Sequence, residues 1–189
     1  MRLRCLSVAV ILWLASGASR AGNWSVVPDQ SRLGFVATWE GTEFDGVFRR
    51  FDADLAFDPR QPEQGRFMVT VEVTSADANS SDLNEGMAAP EWFFFARYPQ
   101  ATFVTSAIRG LGGGRYEAEG TLTIKGVSRP LRLPFTWVET GGQARMQAEA
   151  KLRRTDFNVG EGEWANADAI GLDVRVSVQL VLAPTAPGG

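Results

Sequence analysis

The amino-acid sequence predicts an all-β domain: an antiparallel barrel of about eight strands with one short helical excursion. Apolar and polar residues alternate with period two in one stretch after another, which is the signature of strands with one wet and one dry face. Glycine-rich punctuation separates those stretches, and residues 80–96 alone read as helical. A sheet made of many such strands gains from closing on itself, because closure removes exposed edges.

Residues 1–4 carry two arginines, residues 5–15 are apolar but too short to span a bilayer comfortably, and residues 16–21 are mostly small. This order is that of a secretory signal peptide, cleaved after Ala21 or Ala18, and it predicts export to the periplasm. The expected organisation is a signal peptide at 1–21, a barrel domain at 22–184 and a flexible tail at 185–189.

The strands follow in order. Leu33, Phe35, Ala37 and Trp39 share one parity against Arg32, Gly34 and Thr38. Phe67, Val69, Val71 and Val73 oppose Arg66, Thr70 and Glu72. Tyr116, Ala118, Gly120, Leu122 and Ile124 oppose a run of Glu, Thr and Lys. Leu131, Leu133, Phe135 and Trp137 form the next dry face, then Met146, Ala148, Ala150 and Leu152, then Val174, Val176, Val178 and Leu180. Between the first two, Phe44 and Phe48 are even whereas Phe51, Ala53, Leu55 and Phe57 are odd. The switch predicts a bulge or sharp bend at Arg49–Arg50. Asp58–Pro59, residues 110–114, Gly126 and Gly141–Gly142 supply the turns. In the excursion, Ser81–Asp82 is expected to cap a helix through Met87, Pro90 stops it, and residues 91–95 start a second helical turn.

Composition narrows the function. The 189 residues contain no histidine and one cysteine, Cys5. Ser-His-Asp and Cys-His catalysis and imidazole metal sites are therefore excluded. The net charge of −3 becomes about −6 once Arg2, Arg4 and Arg20 are removed, which argues against nucleic acid as a partner. No nucleophile elbow, phosphate loop or zinc spacing occurs, so no catalytic residue, metal ligand or cofactor is assigned. Asp52 and Asp54, and Glu161 and Glu163, are carboxylate pairs that read as solvated faces or turns. The best candidate for an inward carboxylate is Asp156, with Arg154 as its ion-pair partner; this is the basis of an enzymatic alternative.

Side-chain size on the dry faces raises a further question. Ala37, Ala118, Gly120, Ala148 and Ala150 are small and sit between large neighbours. Either they face bulky residues across a filled core, or they leave room for a ligand. The second reading predicts an apolar tunnel lined by Phe35, Ala37, Val69, Val71, Ala118, Gly120, Leu122, Leu133, Phe135, Met146, Ala148, Ala150, Val176 and Val178. Trp92 and Phe93 would then cover its entrance, either as a plug or as a lid.

Residues 24–35 (WSVVPDQSRLGF), 44–48 (FDGVF), 98–103 (YPQATF), 116–130 (YEAEGTLTIKGVSRP) and 154–160 (RTDFNVG) resemble the YceI-like family in identity and order. The resemblance covers nearly the whole chain after residue 21. It implies a lipocalin-like antiparallel barrel, a periplasmic setting, and a polyisoprenoid or other long amphiphile as ligand rather than a substrate. This chain departs from the family pattern at Trp39 and Gly86, where histidines are common, so the resemblance does not carry over the polar head-group contacts that those histidines would make. The variant form resembles a subset that accompanies b-type cytochrome membrane proteins. That implies a quinone-like or prenyl ligand and a membrane b-type cytochrome as partner, with a non-enzymatic interaction module as the alternative role. Oligomeric state is left open.

Overall fold

Eleven antiparallel strands and one helix make up the computed structural model, which describes residues 22–185. The expected signal peptide and residues 186–189 of the tail lie outside the described residues. The strands are β1 (Gly22–Val26), β2 (Arg32–Trp39), β3 (Thr42–Phe48), β4 (Phe51–Phe57), β5 (Arg66–Glu72), β6 (Ala76–Asp77), β7 (Gln100–Gly112), β8 (Arg115–Ile124), β9 (Val127–Thr140), β10 (Gln143–Arg153) and β11 (Asp173–Pro184). The helix is α1 (Ser81–Ala88).

The order β1-β4-β5-β7-β8-β9-β10-β11, with β11 pairing back to β1, closes a barrel of eight strands. On its edge away from β10, β11 has two successive partners. Near its end Leu182 and Pro184 pair with β1, whereas Arg175 to Gln179 pair with β2, which continues to β3 and β6. The wall at one end of the barrel is thus completed by β1, and at the other by β2, β3 and β6. The parity switch at Arg49–Arg50 marks the bend where the chain leaves β3 and enters β4, which pairs with β1 and β5 instead of β2. Both arginines tie that bend to the segment after β5. The backbone N–H of Arg49 donates to the Ser75 carbonyl, and that of Arg50 to Ser75 Oγ.

Four hairpins use two-residue turns with positive φ at both positions: Glu40–Gly41, Gly113–Gly114, Lys125–Gly126 and Gly141–Gly142. Such turns match the right-handed twist of the strands they join.

One seam in the wall has a cause in the sequence. The Trp137 N–H donates to the Gly114 carbonyl, so odd residues of β9 face β8 with their N–H and even ones face β10. The β9–β10 ladder runs from Thr140–Gln143 to Phe135–Ala148 and ends there. The next even position is Pro134, which has no N–H to give, and Pro130 follows in the same phase. β10 meanwhile stays paired with β11 as far as Arg153–Asp173. Past the prolines β9 and β10 part, and the 3₁₀ turn Arg154–Phe157 spans the lower end of the seam.

One end of the barrel is filled with aromatic rings. The Phe57 ring is 1% exposed and lies 4.8 Å from Trp137, 5.0 Å from Tyr116, 5.6 Å from Phe135 and 5.7 Å from Phe67, centroid to centroid. Trp24 closes the cluster edge-on to Trp137 at 5.4 Å. Edge-to-face contacts of this kind add to the burial of large apolar area.

The excursion differs from expectation in two details. The N-cap is Ser80, whose Oγ accepts from the Leu83 N–H at 3.4 Å, rather than Ser81–Asp82. Residues 91–95 form turns instead of a second helix, because Phe94 takes a positive φ of 53° that breaks any helical run.

Candidate functional site

The other end of the barrel is hollow. A cavity of about 340 Å³ occupies it, lined almost wholly by apolar side chains. That volume lies within the range of small-molecule sites. Period-two alternation delivers one row of side chains from each strand to it: Phe35 and Ala37 from β2, Val69 and Val71 from β5, Leu122 from β8, Leu133 from β9, Met146 and Ala150 from β10, Val176 and Val178 from β11. Because of the bend at Arg49–Arg50, the even-numbered Phe44 and Phe48 and the odd-numbered Phe51 and Ala53 all reach the same space.

The tunnel expected along the whole barrel is therefore confined to one half. Ala118, Gly120, Phe135 and Ala148 do not line the cavity. Phe135 stacks on Tyr116 at 5.3 Å within the filled end. Ala118 is fully buried in that core, and Ala148 packs against it. A Cβ on Gly120 would come within 2.8 Å of the Phe103 ring, so this small residue makes room for a neighbour and not for a ligand. Of the small residues, Ala37 and Ala150 border the cavity, whereas Ala118 and Ala148 lie in or against the filled core.

Three segments close the hollow end. α1 presents Leu83, Gly86 and Met87, and the turns that follow present Trp92 and Phe93. Nothing lies within 4 Å of where a Gly86 Cβ would stand, so the mouth is open there. The β2–β3 hairpin contributes Trp39, 40% exposed although it faces the cavity. The third segment, residues 158–171, contributes Trp164 and Ile170, which sequence reasoning missed. That loop has no hydrophobic period; its one signal is a lone Trp164 among Gly, Glu, Asn and Asp.

Arg154 organises this loop. The residue is 5% exposed, and its guanidinium donates to six backbone carbonyls, those of Val159, Gly160, Trp164, Asn166, Ile170 and Gly171, at 2.5–3.1 Å. It lies 5.3 Å above the Trp92 ring, which in turn sits 5.8 Å from Trp164. Burial lowers its pKa from the usual arginine value. The expected ion pair with Asp156 is absent: Asp156 is exposed on the 3₁₀ turn, and Arg154 turns inward to the carbonyls instead. A planar fork of five N–H groups suits several converging carbonyls better than a single carboxylate on a neighbouring turn. Lys125 fastens the same loop from the β8–β9 turn, donating at 2.7 Å to the Asn158 carbonyl and to Glu161.

α1 is anchored at its start. Asp77 accepts from the Asn79 N–H and from Asn84 Nδ2, and pairs with Arg49. The Arg49 guanidinium and these amides hold its pKa down at about 2. Among the described residues, the charged side chains at the cavity are Asp82, at the exposed mouth, and Arg154. Asp52 and Asp54 point outward from β4, and Glu161 and Glu163 are exposed in the loop. The arrangement can enclose an apolar chain.

Comparison with known proteins agrees with this architecture. Residues 24–182 match the YceI-like domain. Protein YceI of Escherichia coli O157:H7 is 30% identical over 120 residues, spanning 60% of this chain and 62% of the relative's length. BcnA of Burkholderia cenocepacia superposes with a TM-score of 0.80 at 34% identity, over 82% of this chain and 98% of that one. A polyisoprenoid binding domain from Saccharophagus degradans shares the fold at a TM-score of 0.67 and 16% identity, over 87% and 99% of the two chains. With the profile covering nearly all of the barrel and its strands in the same arrangement, the chain belongs to the YceI-like family.

Proposed function

We propose that this protein is a periplasmic carrier that holds an isoprenoid-type or quinone-like amphiphile in the apolar half of its barrel. The observation that carries the reading is the cavity itself, about 340 Å³ with an apolar lining drawn from the inner face of the barrel strands. Each buried CH₂ is worth about 0.8 kcal/mol, so one isoprene unit grosses roughly 3–4 kcal/mol. Ordering the chain takes back part of this, yet a few units suffice for useful affinity without any reacting group. The polyisoprenoid-binding domain of similar fold supports the ligand class, and the signal-peptide-like start supports export. The exposure of Asp156, the carboxylate on which an enzymatic alternative rested, supports binding over that alternative.

The exposed Trp39 at the mouth favours a docking role alongside carriage, with a membrane protein such as a b-type cytochrome as donor or acceptor of the ligand. Native mass spectrometry of gently purified protein, followed by lipid extraction, tests the ligand. An isoprenoid-type lipid at one per chain is expected. Apo protein that also fails to take up an added isoprenoid quinone would refute the proposal.

A further inference from the structure

The cavity has two boundaries of opposite charge. The mouth is acidic: Asp82 and Glu85 on α1, Glu91 before Trp92, and Glu163 and Asp168 in the loop are all exposed. Lys125 pairs there with Glu161 and the Arg154 guanidinium donates to carbonyls, while the exposed Arg97 lies 5.3 Å from the Tyr98 ring centroid. The second boundary is the seam between β9 and β10. Leu131 and Leu133 on one side and Ala150 and Leu152 on the other line the cavity, and no ladder pair joins these two strands beyond Phe135–Ala148. Leu131 and Leu152 are only half-buried although they lie on the inner face.

The lips of this seam are mainly basic, with Glu149 as the exposed acid on β10. Arg132 and Lys151 are exposed there and meet Glu119 and Asp173 at 3.1 and 2.7 Å. Arg129 and Arg153, both exposed, bond instead to neutral acceptors. Arg129 Nε donates to the Asp156 carbonyl at 3.1 Å, and Arg153 Nε to Thr155 Oγ1 at 3.4 Å. Among the described residues neither has a carboxylate within 4.0 Å, and the turn between them carries the single acid Asp156.

We infer that the seam is a lateral opening through which the head group of the bound amphiphile reaches solvent, and that this head group is anionic, seated by Arg129 and Arg153. The inference rests on the cavity holding a lipid chain and adds the chemistry of its polar end. An anion cannot be left in the apolar interior, and the acidic mouth repels it. At the seam, two guanidinium groups without carboxylate partners offer forked donors that suit a phosphate or carboxylate.

Farnesyl phosphate and farnesol, which share a chain and differ in the head, are the probes. Binding of each is followed by tryptophan fluorescence in the wild-type protein and in the R129Q/R153Q variant. The wild type is expected to prefer the phosphate by about tenfold, with the preference shrinking as salt is raised. The variant should keep its farnesol affinity, which also shows that it is folded, and lose the preference. Equal binding of the two probes by the wild type overturns the anionic head group while leaving the lipid cavity standing. A preference that survives in the variant overturns the seam as its seat. Failure to bind either probe sinks the lipid reading together with this one.

Discussion

At the scale of single residues, Arg154 and Trp92 separate structural from functional roles. Arg154 satisfies carbonyls from a loop that has no regular ladder of its own, so its removal orphans several acceptors at once. Arg154→Met is expected to cost about 3–5 kcal/mol in urea denaturation and to red-shift the emission of Trp92 and Trp164. Lysine, with a single point charge, should recover little of it. Trp92 is half-buried, shared between the Arg154 guanidinium, Trp164 and the cavity. Trp92→Ala is expected to speed release of a bound isoprenoid more than it lowers the melting temperature. A loss of 3–5 kcal/mol, the cost of truncating an ordinary core aromatic, with an unchanged off-rate would reduce Trp92 to packing.

At the scale of elements, α1 depends on a carboxylate with a shifted titration. Asp77 has its pKa lowered from 3.8 to about 2 by Arg49, Asn84 and the Asn79 N–H. A lowered folded pKa means that the anchoring is complete above pH 3.8 and is lost as pH falls through about 2. NMR resonances of the Asn84 side-chain amide and the Asn79 N–H should therefore move in that window. In Asp77→Asn they should be flat with pH, and an unchanged titration would remove Asp77 from the anchor. β7 shows a different element-scale effect. Ala101, Phe103 and Thr105 are inward and odd, but Ile108 is inward and even, because the pairing with β8 shifts between Thr105 and Ala107. Such a bulge hides a strand from any search for strict alternation.

At the scale of the whole molecule, the barrel is divided into a filled half and a hollow half, and the same substitution should act oppositely in each. Ala118→Phe enters the aromatic core at a fully buried site and is expected to destabilise by at least about 1–3 kcal/mol, with no specific effect on ligand binding. Ala37→Phe projects into the cavity, and should leave stability within about 1 kcal/mol or raise it while blocking a long chain. Paired thermal melts and isoprenoid binding assays check both. Equal destabilisation by the two would mean that the cavity is not empty space.

Most of the alternating strands, the glycine turns at residues 110–114, 126 and 141–142, and the bend at Arg49–Arg50 were legible in the sequence, whereas the Glu40–Gly41 turn was not. Each follows from local rules: side chains alternate across a strand, and glycine admits positive φ. What stayed illegible depends on residues far apart in the chain. Ala118 and Ala150 look alike in sequence, but one meets the ring cluster around Phe57 and the other borders the cavity. The inward turn of Arg154, the cavity wall supplied by residues 158–171, and the seam that follows from which neighbour Pro130 and Pro134 face all depend on partners at large sequence separation. Period and composition thus determined that this chain makes a barrel with a dry interior. Only the tertiary structure decided how much of that interior is filled, because packing is settled by the volumes that meet across the barrel and not by the order of residues along a strand.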